Sequence, residues 1–512
     1  MARTGAIPIL ETDAPRAGAK AWFALAVLML PVLLVSIDNT VLSFALPEIS
    51  LALDPTGAEQ LWIIDVYPLV LAGLLVTMGT LGDRFGRRRM LLIGATGFAA
   101  VSALAAFAST ALLLIAARAL LGFFGAMLMP STMSLLRSIF TNRDQRRMAI
   151  AVWAAGFSAG AALGPIVGGF LLEHFWWGSV FLMSVPVLVP LLIFAPMLVP
   201  ESRDPNPGRI DTPSILLSML AMIPVVYAIK SIAVDGPTMM AALWAVGGVV
   251  MGVLFVRRQR RITDPMLDME LFRRGAFSGA ILVNLLSVVA LVGFLYYVSQ
   301  HLQLVLGLSP MVAGLALVPG MVAMIIAGLA IVPISRRVSP HILIPVSLIL
   351  SVLGYVIVAV STQTSALVAL IVAFVALGIG IGAAETVSNE LILSTAPANK
   401  AGAASAVSET AYEVGAVLGT TVLGGIITAF YRSALVLPTE LSPDAAAAAR
   451  ETLAGAYTVV HGLPQPLADQ VWAAATGAFE SGVMVTSFIG AGLVVLAGVV
   501  AAATLKERTP TS

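Results

Sequence analysis

The chain has 512 residues, of which 59% are hydrophobic and only 11% charged, with a net charge of +1 and no cysteine. A soluble domain carries about a quarter charged residues, so this chain has too few to keep a monomer of its size in water. A charge so near zero excludes the basic surface of a nucleic-acid binder, and the missing cysteines exclude disulfides, thiolate metal sites and cysteine nucleophiles. The four histidines, His174, His301, His341 and His461, show no metal-ligand spacing, so neither a metal nor a cofactor is expected.

Apolar runs of about 20 residues, the length that crosses a bilayer, follow one another along the chain. The first seven cover 21–46, 61–82, 90–108, 111–136, 148–172, 178–199 and 212–230. The next seven cover 238–256, 275–299, 311–333, 341–360, 366–394, 402–431 and 482–504, giving fourteen predicted spans. In lipid only a helix satisfies its own backbone hydrogen bonds within one segment this apolar, so the fold class is an all-α integral membrane protein. Residues 1–20 carry Glu11 and Asp13 and lack an apolar signal-peptide core, so they are expected to form a cytoplasmic tail, matched by a second at 505–512. Threaded from that side, 24 of the 28 basic residues fall in inner segments, leaving Lys230, Arg432 and Arg450 outside and Arg118 within a span. That separation obeys the positive-inside rule and puts both termini in the cytoplasm. The outer segment 433–480 holds the run Asp444 to Arg450, a Pro464-Gln465-Pro466 break and a second alanine-rich stretch. It reads as a small helical hairpin, either a structured connector or a lid over an outer vestibule.

A charge at mid-bilayer costs ~2.5–3.5 kcal/mol on insertion scales, so each one within a span needs a reason. Asp38 lies in the first span and Asp65 at the start of the second, where it serves either as a helix N-terminal carboxylate or as part of a site. Glu385 and Glu390 lie in the twelfth span, Glu390 near the inner interface. Glu409 and Glu413 lie in the thirteenth, four residues apart and hence on one helix face. Arg118, in the fourth, pairs with a carboxylate or takes part in proton coupling. Acidic groups outnumber basic ones within the spans, which favours cationic cargo. No lysine follows a glycine, so the phosphate loop of an ATPase is missing, and an ion gradient remains as the energy source.

The segment after the second span reads Gly79-Thr80-Leu81-Gly82-Asp83-Arg84-Phe85-Gly86-Arg87-Arg88-Arg89. The fifth span carries Gly160-Ala161-Ala162-Leu163-Gly164-Pro165-Ile166-Val167-Gly168-Gly169, whose small residues let another helix pack closely. With Arg118-Ala119-Leu120-Leu121-Gly122 of the fourth span, where Leu121 replaces a common glutamine, these stretches resemble signatures of the major facilitator superfamily. Fourteen spans point to its drug:proton antiporter branch. The stretches Ser36 to Pro47, Trp62 to Gly73 and Val407 to Gly415 resemble exporters of quaternary ammonium compounds and cationic dyes. Asp38, Asp65, Glu409 and Glu413 match acidic positions there, while Ser408 stands where that family has a further acid.

The resemblance implies two six-helix bundles, 21–199 and 275–504, around a central cavity, with two inserted spans and a basic loop within 200–274. The inner loop after the tenth span, Pro333 to Pro340, keeps a basic pair but has Ser335 in place of an acid, so the internal repeat is faint. The expected function is proton-driven efflux of lipophilic organic cations by alternating access, from a bacterial cytoplasmic membrane and as a monomer in contact with lipid; no enzyme activity is expected. Asp38, Asp65, Glu385, Glu409 and Glu413 are the candidates for proton and cation binding. Asp83, Arg84, Arg118, Gly164 and Pro165 are those for gating. Trp62, Tyr67, Trp153, Phe157, Tyr296 and Tyr412 are candidates for the cavity wall, since aromatic faces attract cations. The alternatives are an exporter of an endogenous lipid or secondary metabolite, and a receptor that does not transport.

Overall fold

The computed structural model describes residues 16–203, 211–262, 265, 269–361, 366–395 and 401–505. Arg3, Arg209, Lys400, Lys506 and Arg508, counted above among the inner basic residues, lie outside them, as do residues 1–15 and 506–512 of the two tails. Among the described residues fourteen helices are long and apolar enough to cross a membrane, the expected number. The first eight are α1 (Ala19–Leu53), α2 (Gly57–Phe85), α3 (Arg87–Ala105), α4 (Ala111–Ile139), α5 (Arg143–His174), α6 (Ser179–Leu198), α7 (Thr212–Asp235) and α8 (Met239–Gln259). Then come α9 (Gly275–Gln300, prolonged by a π turn, His301–Val305), α10 (Pro310–Ser335), α11 (Pro340–Val360) and α12 (Ala366–Thr395). Helix α13 runs Ala401–Leu418, passes through a π turn at Gly419–Gly424 and continues Gly425–Ala434. Two short helices, α14 (Pro443–Glu451) and α15 (Leu453–Val460), precede the last span, α16 (Gln465–Thr504).

Local chemistry sets the helix ends. Thr56 opens α2 with a reciprocal capping box to Glu59, and Thr110, Thr238 and Ser309 cap α4, α8 and α10 by accepting a backbone N–H. Gly86, at φ +116°, turns the chain from α2 into α3 without a loop, a conformation suited to glycine. A Cβ there would lie 2.8 Å from the Glu201 carboxyl carbon.

Three expectations are corrected. The second alanine-rich stretch is not an arm of an outer hairpin: it belongs to α16, 40 residues long, because alanine carries the helix through it. At 1.5 Å per residue α16 is about 60 Å long, twice the hydrocarbon thickness, so its first turns stand clear of the membrane. The hairpin itself is α14 and α15. Lys230 is not in an outer loop: α7 continues to Asp235, and Lys230 is buried within it at 1% exposure. Asp65 is not a helix-start carboxylate, because α2 begins two turns earlier at its Thr56–Glu59 box.

The packing repeats itself. Helix α1 lies on α5 and α6, α2 on α4, and α3 on both α4 and α6; in the same pattern α9 lies on α13 and α16, α10 on α12, and α11 on both α12 and α16. The two sets meet through α2 against α13 and α5 against α10, again a matched pair. This relation between halves is far clearer in packing than in sequence. Helix α7 packs on α2 and α13, and α8 packs on α7 with most of its apolar surface outward, as at Met239, Leu243 and Val249. Asp211, at the start of α7, accepts from Arg258 of α8 at 2.7 Å and ties the pair together. Burial pushes its carboxyl up, but the Arg258 and Ser214 hydrogen bonds outweigh this and hold it below the ordinary carboxylate value.

The glycines of α5 explain the closest approaches. A Cβ at Gly160 would lie 2.8 Å from that of Ser36, and one at Gly164 would collide with the Thr40 hydroxyl. Ser36 donates to the Phe157 carbonyl, and Thr40 donates to that of Ala161 at 3.2 Å. Further along, a Cβ on Gly169 would lie 2.8 Å from Met311 Cα of α10, and one on Gly314 would strike the Pro165 carbonyl. Gly164→Leu is therefore expected to overpack the α1–α5 seam and cost about 1–3 kcal/mol. A lowered melting temperature of the purified protein checks it; an unchanged one would show that α1 yields freely.

Candidate functional site

Arg118 reaches from α4 to α1. Its Nη1 donates to Asp38 Oδ2 at 2.7 Å, its Nε donates to the Ile63 carbonyl of α2 at 3.2 Å, and its guanidinium lies 4.5 Å from the Tyr67 ring centre. A planar fork that bonds at its edge and stacks on its face is what arginine supplies and lysine does not. One turn later Gly122 lets α4 close on α2, since a Cβ there would lie 2.6 Å from the Tyr67 carbonyl. Asp38 and Arg118 are 5% and 1% exposed, so the pair is sealed from solvent.

Asp65 is paired as well. Its Oδ2 lies 3.0 Å from Lys230 Nζ and accepts from the Thr421 hydroxyl of α13 at 2.6 Å. Lys230 in turn sits 3.9 Å from the Trp62 ring centre. The composition of the spans did not foresee this cation. Tyr296 of α9 stands within electrostatic reach of Asp65 and beside Gly424, so it belongs to this group.

The glutamates are different. Among the described residues no ion pair neutralises Glu385, Glu409 or Glu413, and all three act electrostatically on Tyr412. Glu413 is 1% exposed and neither carboxylate oxygen finds a hydrogen-bond partner; Asn39 of α1 lies alongside. Glu385 Oε1 and the Tyr67 hydroxyl are also buried without a partner. Glu413 is within reach of Glu409, Asp38 and Arg118, so the arginine pair and the glutamates form one electrostatic unit. A carboxylate so placed needs a proton or a cation to offset its lost hydration. Phe157 of α5 meets Tyr412 edge to face, with centroids 5.9 Å apart, and carries the aromatic wall across from the other half.

The remaining candidates lie elsewhere. Trp153 donates to Thr132 at 3.3 Å within its own half. Asp83 receives the Arg87 guanidinium at 2.8 Å, at the first residue of α3, and Arg84 is exposed above Phe85. Glu201, which sequence reasoning missed, accepts the backbone N–H groups of Arg88 and Arg89 and caps α3. Gly164 and Pro165 take part through packing alone. Ser408, in place of a further acid, donates to Asn389 at 2.8 Å.

The two halves touch by polar contacts at one end. Glu173 of α5 accepts from Ser309 and from the Met311 N–H at the start of α10, and Gln303 donates to the Phe44 carbonyl. Glu451 of α14 accepts the Gly57 N–H at the start of α2 and pairs with Arg432 at 3.3 Å. The Asp65–Thr421 bond lies beneath this end; the arginines of the α2–α3 turn lie at the other.

Known proteins share this fold. The model of the Major Facilitator Superfamily matches residues 28–420. The multidrug efflux pump LfrA of Mycolicibacterium smegmatis is 56% identical over 485 residues, spanning 95% of this chain and 96% of that one. The methyl viologen resistance protein SmvA of Salmonella typhimurium is 35% identical over 470 residues, spanning 90% and 93%. Among solved structures, a bacterial homolog of the human lysosomal transporter Spinster superposes with a TM-score of 0.65 at 16% identity, covering 96% of this chain and 100% of its own. A peptide transporter, POT, follows with a TM-score of 0.62 at 14% identity, covering 96% and 98%; both speak for the fold. Helix count, repeated packing and sequence agree: the chain belongs to the Major Facilitator Superfamily.

Proposed function

We propose that this protein exports lipophilic organic cations in exchange for protons. One observation carries the reading: the buried aspartates each hold a basic partner, whereas three glutamates around Tyr412 hold none. Those glutamates offer negative charge, aromatic surface and no resident cation, which is what a greasy cation needs. The relatives named for multidrug efflux and for methyl viologen resistance, methyl viologen being an organic dication, support it.

In this reading, which the positive-inside count supports, both termini are cytoplasmic and the end where the halves meet is the outer one. The bundles 21–199 and 275–504 then rock about the glutamates, with α7 and α8 as an inserted pair. Cargo enters from the cytoplasm and neutralises Glu413 with Glu409 or Glu385; protons arriving after the outer end opens take over that task and release it. Proton and cargo compete for the same carboxylates, each favouring a different state, and that is sufficient for coupling. Gly164 and Pro165 form the closed seam, Asp83 and Arg84 belong to the inner latch, and Arg118 holds Asp38 in place between α1 and α4.

The test is ethidium transport in inside-out vesicles with the pH gradient and the membrane potential collapsed separately. Transport is expected to stop when both are removed. Undiminished transport without either would falsify the coupling.

A further inference from the structure

Lys230 is the buried cation that the transport scheme leaves without a task. Its ammonium has a carboxylate on one side and the Trp62 indole face on the other, and both Lys230 and Asp65 are sealed, at 1% and 0% exposure. Leu69, Val226 and Val417, with Trp62 and Met222 against them, form an apolar wall separate from the main core. A positive nitrogen between an aromatic face and a carboxylate, in apolar surroundings, is how proteins bind organic ammonium ions. Here the occupant is tethered to α7 by four methylenes.

The pair is incompletely satisfied. Asp65 Oδ1 is buried without a hydrogen-bond partner, and an ammonium with three N–H donors faces one carboxylate oxygen. Burying two charges costs about as much as their attraction returns, so such a pair adds little net stability, while its carboxylate still requires a cation of some kind. Three parts of the fold also converge here: α2 of one half, the π turn of α13 in the other, and the inserted helix α7. π turns within helices cluster at functional sites.

We infer that Trp62, Asp65 and Thr421 form a second organic-cation site on the outward path, occupied in this structure by the Lys230 side chain and vacated when α7 shifts. The site rests on the cation-export reading. A cation released from the glutamates displaces Lys230 from Asp65, and the tethered ammonium then returns and expels it. Lys230 thereby sets how briefly cargo stays and which ammonium shapes pass.

Purified protein in lipid nanodiscs tests this, with propylammonium as a probe the size of the lysine side chain. Lys230→Ala is expected to melt lower than wild type and to regain melting temperature as propylammonium is added; Lys230→Ala/Asp65→Asn should gain nothing. With ethidium, Glu413→Gln should bind weakly, and Lys230→Ala/Glu413→Gln should bind about tenfold or more tightly than Glu413→Gln, since a tether competes at millimolar effective concentration. No propylammonium rescue, or rescue that survives Asp65→Asn, overturns the second site. If Lys230→Ala does not fold, Lys230→Met enters the same two measurements, and absence of an ethidium gain over Glu413→Gln overturns the site equally. The function itself fails differently: ethidium binding that ignores Glu413→Gln in an otherwise wild-type chain removes the glutamate site, whatever Lys230 does.

Discussion

Glu413→Gln is expected to cut cation efflux by one to two orders of magnitude while leaving the protein inserted and at least as stable as before. The two halves of that expectation come from one fact. Glu413 is 1% exposed, no ion pair neutralises it, and what Asn39 and Arg118 offer its charge is outweighed by burial and by Glu409, so cargo or a proton is what gives that charge a use. Glutamine keeps the shape and removes the charge. A charged interaction of this kind is worth about 1.5–3 kcal/mol, which corresponds to roughly ten- to a hundredfold in affinity. Initial ethidium transport rates in inside-out vesicles should fall by that range, and the melting temperature should hold or rise, since an isolated buried charge opposes folding. Glu409→Gln and Glu385→Gln should have smaller effects, because both are half-buried and partly screened. Normal efflux by Glu413→Gln would remove it from the mechanism, and a collapse in stability would show that its charge has a partner after all.

The helices were legible because their cause is local. A run of about 20 apolar residues in lipid must satisfy its own backbone, so fourteen runs became fourteen helices. The carboxylates were legible for the same reason: a charge inside such a run stands out. What stayed hidden depends on partners distant in the chain. Lys230 counts as an outer residue when the seventh span is ended at 230, yet Ser231-Ile232-Ala233-Val234 continues the helix beyond it, and that was the available signal. Its partner Asp65 sits on α2, and no spacing rule connects them. The start of α2 was readable from Thr56 and Glu59, a capping box that opens five residues before the apolar run at Leu61. The distinction that matters most, Asp38 and Asp65 paired against three free glutamates, emerges only when α1, α2, α4, α7, α12 and α13 are brought together. Sequence placed all five acids in one class; packing divides them.

That division leads to the second large expectation, at Arg118. Arg118→Met removes the one cation from a sealed site and leaves Asp38 facing apolar neighbours with no compensation. Breaking a buried pair from one side costs about 3–5 kcal/mol, and here the Ile63 carbonyl and the Tyr67 face lose their partner too. The melting temperature should drop steeply. Asp38→Asn/Arg118→Met removes both charges, and most of the stability should return, because the penalty came from the orphaned carboxylate and not from a lost attraction. Transport then separates two roles that stability alone cannot. If the pair only fastens α1 to α4, the double variant should regain ethidium efflux along with its fold. If Asp38 also feels the charge state of Glu413, which lies within its electrostatic reach, the refolded double variant should bind ethidium but lose the dependence of transport on the pH gradient. The second outcome is the one expected here, since both members of this pair act electrostatically on Glu413.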